Sequence, residues 1–168
     1  PKAKSLLKIL NYPLAAPSAN ISSRVSPVTK NHVKEEFGKK IKYIIEGGLS
    51  KIGLESTIIN LTGKPEILRI GSIDINKLSK ALKKKLLYRK KTYVKVPGQN
   101  RLHYSPGIPL RMNCKEASLD EAFILVKKRN NSNKNFFYLS KNKNLKEAAR
   151  NLYSVLRIIK KKGYKKIA

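Results

Sequence analysis

A chain of 168 residues in which 38 Lys and Arg face 10 Asp and Glu carries a formal charge of +28, a balance that favours contact with polyanions through counterion release and steering. With 40% hydrophobic residues, eight prolines and nine glycines, the composition excludes a disordered chain, and the length suffices to bury a sizeable core. No apolar run approaches the roughly 18–20 residues that span a bilayer, and the lone cysteine, Cys114, excludes an internal disulfide or a thiolate metal cluster.

In chain order, residues 5–10 read as the end of a helix. Leu14, Ala15 and Ala16 are apolar and suit a strand end, Pro17 bars helical continuation, and Ser18 and Asn20 supply short turn-forming polar groups. Ser26 followed by Pro27 has the pattern of an N-cap and a first helical residue, which predicts a helix over 27–37. Its free N–H groups and positive dipole end would face the 18–26 loop, where an anion is welcome. The alternation over 41–46 into Gly47-Gly48 predicts a strand and turn; 56–61 is a β-branched strand, 63–65 a turn and 66–70 a returning strand. Asp74 caps a helix on which Leu78, Leu82 and Leu86 recur four residues apart. Past a connector containing Pro97, Gly98, Pro106, Gly107 and Pro109, residues 119–127 read as a helix and 136–139 as a strand. Leu145, Ala148, Leu152, Val155, Leu156 and Ile159 mark one face of a longer helix, and 165–168 would open a strand.

These patterns divide the chain into 1–88, a connector over 89–113, and 114–168. The first region is an α/β domain with a twisted mixed sheet; the β/α alternation of the last suits a small Rossmann-like architecture. Sparse carboxylates, and no H-E-x-x-H or Walker A pattern, argue against hydrolytic metal or acid–base chemistry. Lysine pairs and triplets such as Lys83-Lys84-Lys85 and Lys127-Lys128 fit either solvated surfaces or an RNA-facing surface. His32 and His103 form no catalytic pair on this pattern: His32 reads as surface or cap-associated, and His103 as orienting the connector. Cys114 reads as structural, and a cytoplasmic location is expected.

Four short motifs occur in a fixed order: Ala16-Pro17-Ser18-Ala19-Asn20 through Ser26-Pro27, then Gly53-Leu54-Glu55-Ser56-Thr57, then Leu68-Arg69-Ile70-Gly71, then Pro97-Gly98 with His103-Tyr104-Ser105-Pro106. Alone, each fits a turn, cap, strand or packed connector. In combination they resemble the bacterial threonylcarbamoyl-AMP synthase family with a YrdC-like catalytic domain, in its longer form with an additional C-terminal domain. Two positions depart from the family pattern: Ser23 stands where Gly is usual, and Val28 where Thr is usual.

The resemblance implies an α/β fold comprising the C-terminal part of a YrdC-like domain (1–88), a linker that closes over the site (89–113), and the N-terminal part of a Rossmann-like domain (114–168). It implies condensation of L-threonine, bicarbonate and ATP to L-threonylcarbamoyl-AMP and pyrophosphate for threonylcarbamoyladenosine modification of tRNA. Mg²⁺ accompanies ATP, and no protein-held metal is expected. By motif position, Ser18, Asn20, Ser26, Arg69 and Tyr104 are ATP-binding and Ala16 and Ser56 threonine-binding. Partners would include tRNA or double-stranded RNA and the proteins that transfer the threonylcarbamoyl group to tRNA. The family's upstream K-x-R segment has no counterpart before Leu14, so the chain is expected to be an internal piece whose activity alone is doubtful. Two other classes stay open: a non-catalytic YrdC-like module binding RNA, for which RNA binding without ATP binding would speak, and a carbamoyl-transfer domain of the hydrogenase-maturation kind, which the His103-Tyr104 linker disfavours.

Overall fold

The computed structural model describes residues 2–88, 96–98, 103–131 and 133–168. The chain packs as two compact units: one combines Pro1–Gly53 with Tyr104–Ala168, and the other is Leu54–His103. Among the described residues no helix is long and apolar enough to cross a membrane.

In the Leu54–His103 unit, β1 (Ile58–Asn60) pairs antiparallel with β2 (Glu66–Arg69), which pairs parallel with β3 (Leu87–Tyr88), giving the mixed sheet expected. The register slips between Ile58 and Ile59, which oppose Arg69 and Ile67. That bulge places the consecutive Ile67 and Leu68 both in the core and re-aims Arg69. α3 (Ile75–Leu82) starts at Asp74, whose carboxylate accepts the Lys77 N–H, and ends at Lys83 in the left-handed conformation. The expected Leu78/Leu82/Leu86 helical stripe is therefore cut short: Leu86 lies beyond the helix, buried just before β3.

The other unit holds α1 (Lys2–Ile9), α2 (Lys30–Phe37) and a 3₁₀ turn at Gly38–Lys40. It also holds β4 (Phe123–Lys127), β5 (Phe136–Ser140) and α4 (Leu145–Lys161). β4 and β5 are parallel, and Ile167 bridges in parallel to both Ala122 and Leu110, so the 165–168 segment does extend alongside β4. Phe123, Leu139, Ala148, Tyr153, Leu156, Ile159 and Ile167 form its core. α4 realises the predicted apolar face, capped by Asn144 on the N–H groups of Lys146 and Glu147. Leu145 is exposed and Tyr153 takes a buried place that the stripe omitted.

Three expectations are corrected. The 119–127 helix is the strand β4, because the continuous run Ala122-Phe123-Ile124-Leu125-Val126 suits a parallel strand joined on both edges better than an amphipathic helix. The 41–46 alternation forms no strand; no partner pairs with it among the described residues, and Tyr43 and Ile45 stay exposed. α2 begins at Lys30 rather than Pro27, with Thr29 as its cap accepting the His32 N–H.

Candidate active-site loops

The 18–26 loop is braced from within. The Asn20 N–H donates to the Ser18 carbonyl at 2.9 Å, and its side-chain amide donates to the carbonyls of Ile21 and Arg24, each at 3.0 Å. The buried Ser26 hydroxyl donates to the Asn20 side-chain oxygen at 3.4 Å. Ser26 is thus a strut behind Asn20 and not the helix cap. Both Ser26 and Thr29 are good caps by type; Thr29 takes the role because Val28 is buried and gives its N–H to His32 Nδ1 at 3.3 Å. Ser18 and Ala16 are exposed on the stretch without regular secondary structure that enters the loop.

At the loop tip the Arg24 N–H bonds the Ile21 carbonyl, with Ser23 at φ +69°. That left-handed conformation explains the Gly usual at this position of the motif, since glycine enters it without a Cβ penalty. The Ser23 carbonyl accepts the Ser105 N–H at 2.8 Å, and the Tyr104 ring stacks on Tyr153 of α4 with centroids 6.1 Å apart. The 104–106 end of the connector is therefore docked. Positions 89–95 and 99–102, on which much of the linker expectation falls, lie outside the described residues.

In the Leu54–His103 unit the second and third motifs interlock. Arg69 Nε donates to the Ser56 carbonyl and Nη2 to the Ser56 hydroxyl, both at 3.0 Å, while Nη1 donates to the Pro97 carbonyl at 3.1 Å. The Gly71 N–H donates to Thr57 Oγ1, and the Ser72 N–H to the Glu55 carbonyl. A Cβ on Gly71 would come within 2.3 Å of the Ser56 carbonyl carbon and the Thr57 nitrogen, so only glycine allows this approach. Ser18, Asn20, Ser26 and Tyr104 thus belong to one unit, with Ser56 and Arg69 meeting in the other.

Two residues that pattern analysis passed over hold the first loop. Glu36 accepts the Ile21 N–H at 3.2 Å and pairs with Arg24 and with Arg157 of α4, whose other nitrogen donates to the Val25 carbonyl at 2.6 Å. Nothing in local spacing joins positions 121 residues apart. The only sequence signal is scarcity, since ten acids among 38 cations make each acid a valued partner. Cys114 is half-buried, its thiol 3.7 Å from the Met112 carbonyl. No group of three or more His, Cys, Asp or Glu converges as metal ligands among the described residues.

Comparison with known proteins matches this arrangement. The family described as Telomere recombination covers residues 1–71, and that described as Threonylcarbamoyl-AMP synthase, C-terminal domain covers residues 69–168. Among curated relatives, threonylcarbamoyl-AMP synthase of Pyrococcus abyssi is 40% identical over 111 residues, which is 62% of this chain and 33% of that protein. The Schizosaccharomyces pombe enzyme of the same name is 38% identical over 117 residues, covering 63% and 29%. The crystal structure of P. abyssi Sua5 complexed with L-threonine superposes with a TM-score of 0.81 at 30% identity, over 98% of this chain and 54% of that one. The chain spans about a third of these curated relatives and about half of the solved structure. With one family covering its last 100 residues, the interlocked Ser56–Arg69–Gly71 motifs and a matching fold, the chain belongs to the threonylcarbamoyl-AMP synthase family.

Proposed function

We propose that the protein carrying this chain condenses L-threonine, bicarbonate and ATP into L-threonylcarbamoyl-AMP and pyrophosphate, the activated intermediate for threonylcarbamoyladenosine in tRNA. The observation that carries this is the Asn20 brace. One side-chain amide holds the Ile21 and Arg24 carbonyls and is itself held by Ser26, fixing a short polar loop that exposes Ser18. A fixed set of donors needs no reorganisation as charge develops on phosphate, which is the main advantage of a preorganised site. Ser18 is assigned to the phosphates; Asn20, whose N–H groups are all given to the carbonyls of Ser18, Ile21 and Arg24, serves ATP binding by holding the loop around them, with Ser26 supporting it from behind. Ser56 and the Ala16 backbone are assigned to threonine, in keeping with the relative crystallised with L-threonine.

Arg69 is assigned to the nucleotide while tying Ser56 in place, and Tyr104 to the nucleotide side of the docked connector. Reactants aligned in one site gain most of their advantage from orientation. Mg²⁺ comes with the ATP phosphates and keeps water ligands; Ser18, Asn20 and Ser26 offer no carboxylate to cage it. The division into 1–88, 89–113 and 114–168 is proposed from the order of the motifs along the chain, and it differs from the two compact units, which join Pro1–Gly53 to Tyr104–Ala168. Ser18→Ala in the full-length protein is expected to weaken ATP binding about tenfold, or about 1.4 kcal/mol, with the fold intact. Wild-type ATP affinity in a folded Ser18→Ala protein would reject the assignment.

A second reading, contact with RNA, is favoured by one feature besides net charge. An open basin of about 940 Å³ is lined by Lys127, Lys128, Arg129 and Lys143 together with Phe136, and among the described residues by no acidic one. Cations beside an aromatic ring suit a nucleic-acid backbone and an unstacked base.

A further inference from the structure

We propose that Arg157, acting with Glu36, is a positioning residue for the ATP-binding loop, so that helix α4 of the C-terminal family region sets the loop's working shape. The proposal rests on the assignment of the 18–26 loop to ATP made above.

The geometry is specific at both ends of the loop. Glu36 takes the Ile21 N–H on one oxygen and Arg157 Nη1 on the other, at 3.2 and 3.1 Å. Arg157 Nη2 then reaches the Val25 carbonyl at 2.6 Å. One ion pair therefore grips the amide that opens the turn and the carbonyl that closes it. The adjacent Arg24 carbonyl is held by Asn20 within the loop, so the consecutive carbonyls at 24 and 25 are each fixed by a different side chain. The Glu36 side chain is 5% exposed and that of Arg157 14%, so water competes little for these bonds. The planar guanidinium suits this task, because Nη1 and Nη2 donate separately and in fixed directions to the carboxylate and the carbonyl, whereas an ammonium would have to meet both from one nitrogen.

The same face of α4 meets two other motifs. Arg150, Tyr153 and Arg157 lie three and four residues apart on one stripe. A Cβ on Gly53, which opens the second motif, would fall 2.7 Å from the Arg150 backbone. Tyr153 carries the stacked Tyr104 ring. Position 157 is thus one point on a helix surface that three sequence motifs use as a template.

The test compares Arg157→Lys with wild type in the full-length protein, by amide exchange and by binding of ATP with Mg²⁺. Exchange over residues 20–26 is expected to quicken about tenfold while exchange in α4 stays at its wild-type rate, and ATP affinity to fall about fivefold to tenfold. A purely structural role would lower thermal stability without moving ATP affinity. Unchanged exchange over 20–26 overturns the proposal. Faster exchange with unchanged ATP affinity also overturns it, and Ser18→Ala then separates the two ideas. Weakened ATP binding in Ser18→Ala leaves the loop assignment standing and removes only the role of Arg157, whereas unchanged binding there removes both. If Arg157→Lys does not fold, Glu36→Gln, which keeps the side-chain shape but not the charge, is read by the same two assays with the same expected and overturning results.

Discussion

Ser23 and Gly71 show how much a loop's shape depends on one residue's conformational range. Ser23 sits at φ +69°, a conformation that costs a side-chain-bearing residue about 1–2 kcal/mol, while glycine loses about 0.5–1 kcal/mol more chain entropy on folding. Ser23→Gly is therefore expected to stabilise the fold by about 0.5–1 kcal/mol, seen as a raised denaturation midpoint; a lowered midpoint would mean that the hydroxyl does more for the turn than the backbone strain takes away. Gly71 presents the opposite case, with no unusual φ but no room: its Cβ would press on the backbone between Ser56 and Thr57. Gly71→Ala is expected to cost about 1–3 kcal/mol, as overpacking does, and to disturb the Arg69–Ser56 bonds. A variant with wild-type stability would show that the β1 entry can yield, and that the L-R-x-G turn is not locked to the Ser56 segment.

Among the elements, α2 carries a pH-dependent start. His32 Nδ1 accepts the Val28 N–H, which only an unprotonated nitrogen can do. Burial, reinforced by the Arg157 charge and opposed by Glu35, holds its pKa below the usual 6.5. The folded chain thus prefers the neutral ring: the contribution is complete above 6.5 and is lost as pH falls from there through the lower folded value. Acidification below 6.5 is expected to lower the protection of the amides of Val28 and the first turn of α2, measured as exchange relative to the intrinsic rate at each pH. His32→Asn, which still offers an acceptor but does not titrate, should remove that pH dependence; an equal acid response in both proteins would place the cause elsewhere. The sequence left His32 as surface or cap-associated, and its bond to the Val28 N–H places it at the cap. Which hydroxyl caps the helix was not legible in the sequence, because Ser26 and Thr29 are equally apt by type and only the burial of Val28 decides. The strands around Ile58 and Ile67 and the helices at Asp74 and Leu145 followed from alternation, capping and period. The run from Ala122 to Val126 did not, since an apolar stretch of that length fits a buried strand or a buried helix alike.

Over the whole molecule, the motifs were readable because each is local, a few residues whose types suit a turn, a brace or a close approach. What joins them was not, because Arg69 reaches Ser56 across a bulge and Arg157 reaches Val25 across most of the chain, and no period or spacing records such bonds. The excess of 28 positive charges is legible from composition, but its placement is a property of the fold. The basin lined by Lys127, Lys128, Arg129 and Lys143 gathers cations from the end of β4 and the turn after β5, with the Phe136 ring beside them. Each phosphate contact releases counterions, so RNA affinity falls with salt by roughly 0.7–0.9 logarithmic units per decade for every contact. Replacing Lys127, Lys128 and Arg129 together by Ala is expected to weaken binding of a tRNA hairpin to the full-length protein and to flatten the salt slope by roughly 2–3. ATP affinity should hold, because none of the three lies on the 18–26 loop. Fluorescence anisotropy at three or more salt concentrations reads both quantities. A slope unchanged by the triple replacement would show that RNA contact, where it occurs, is spread over the basic surface and that the basin has no special part in it.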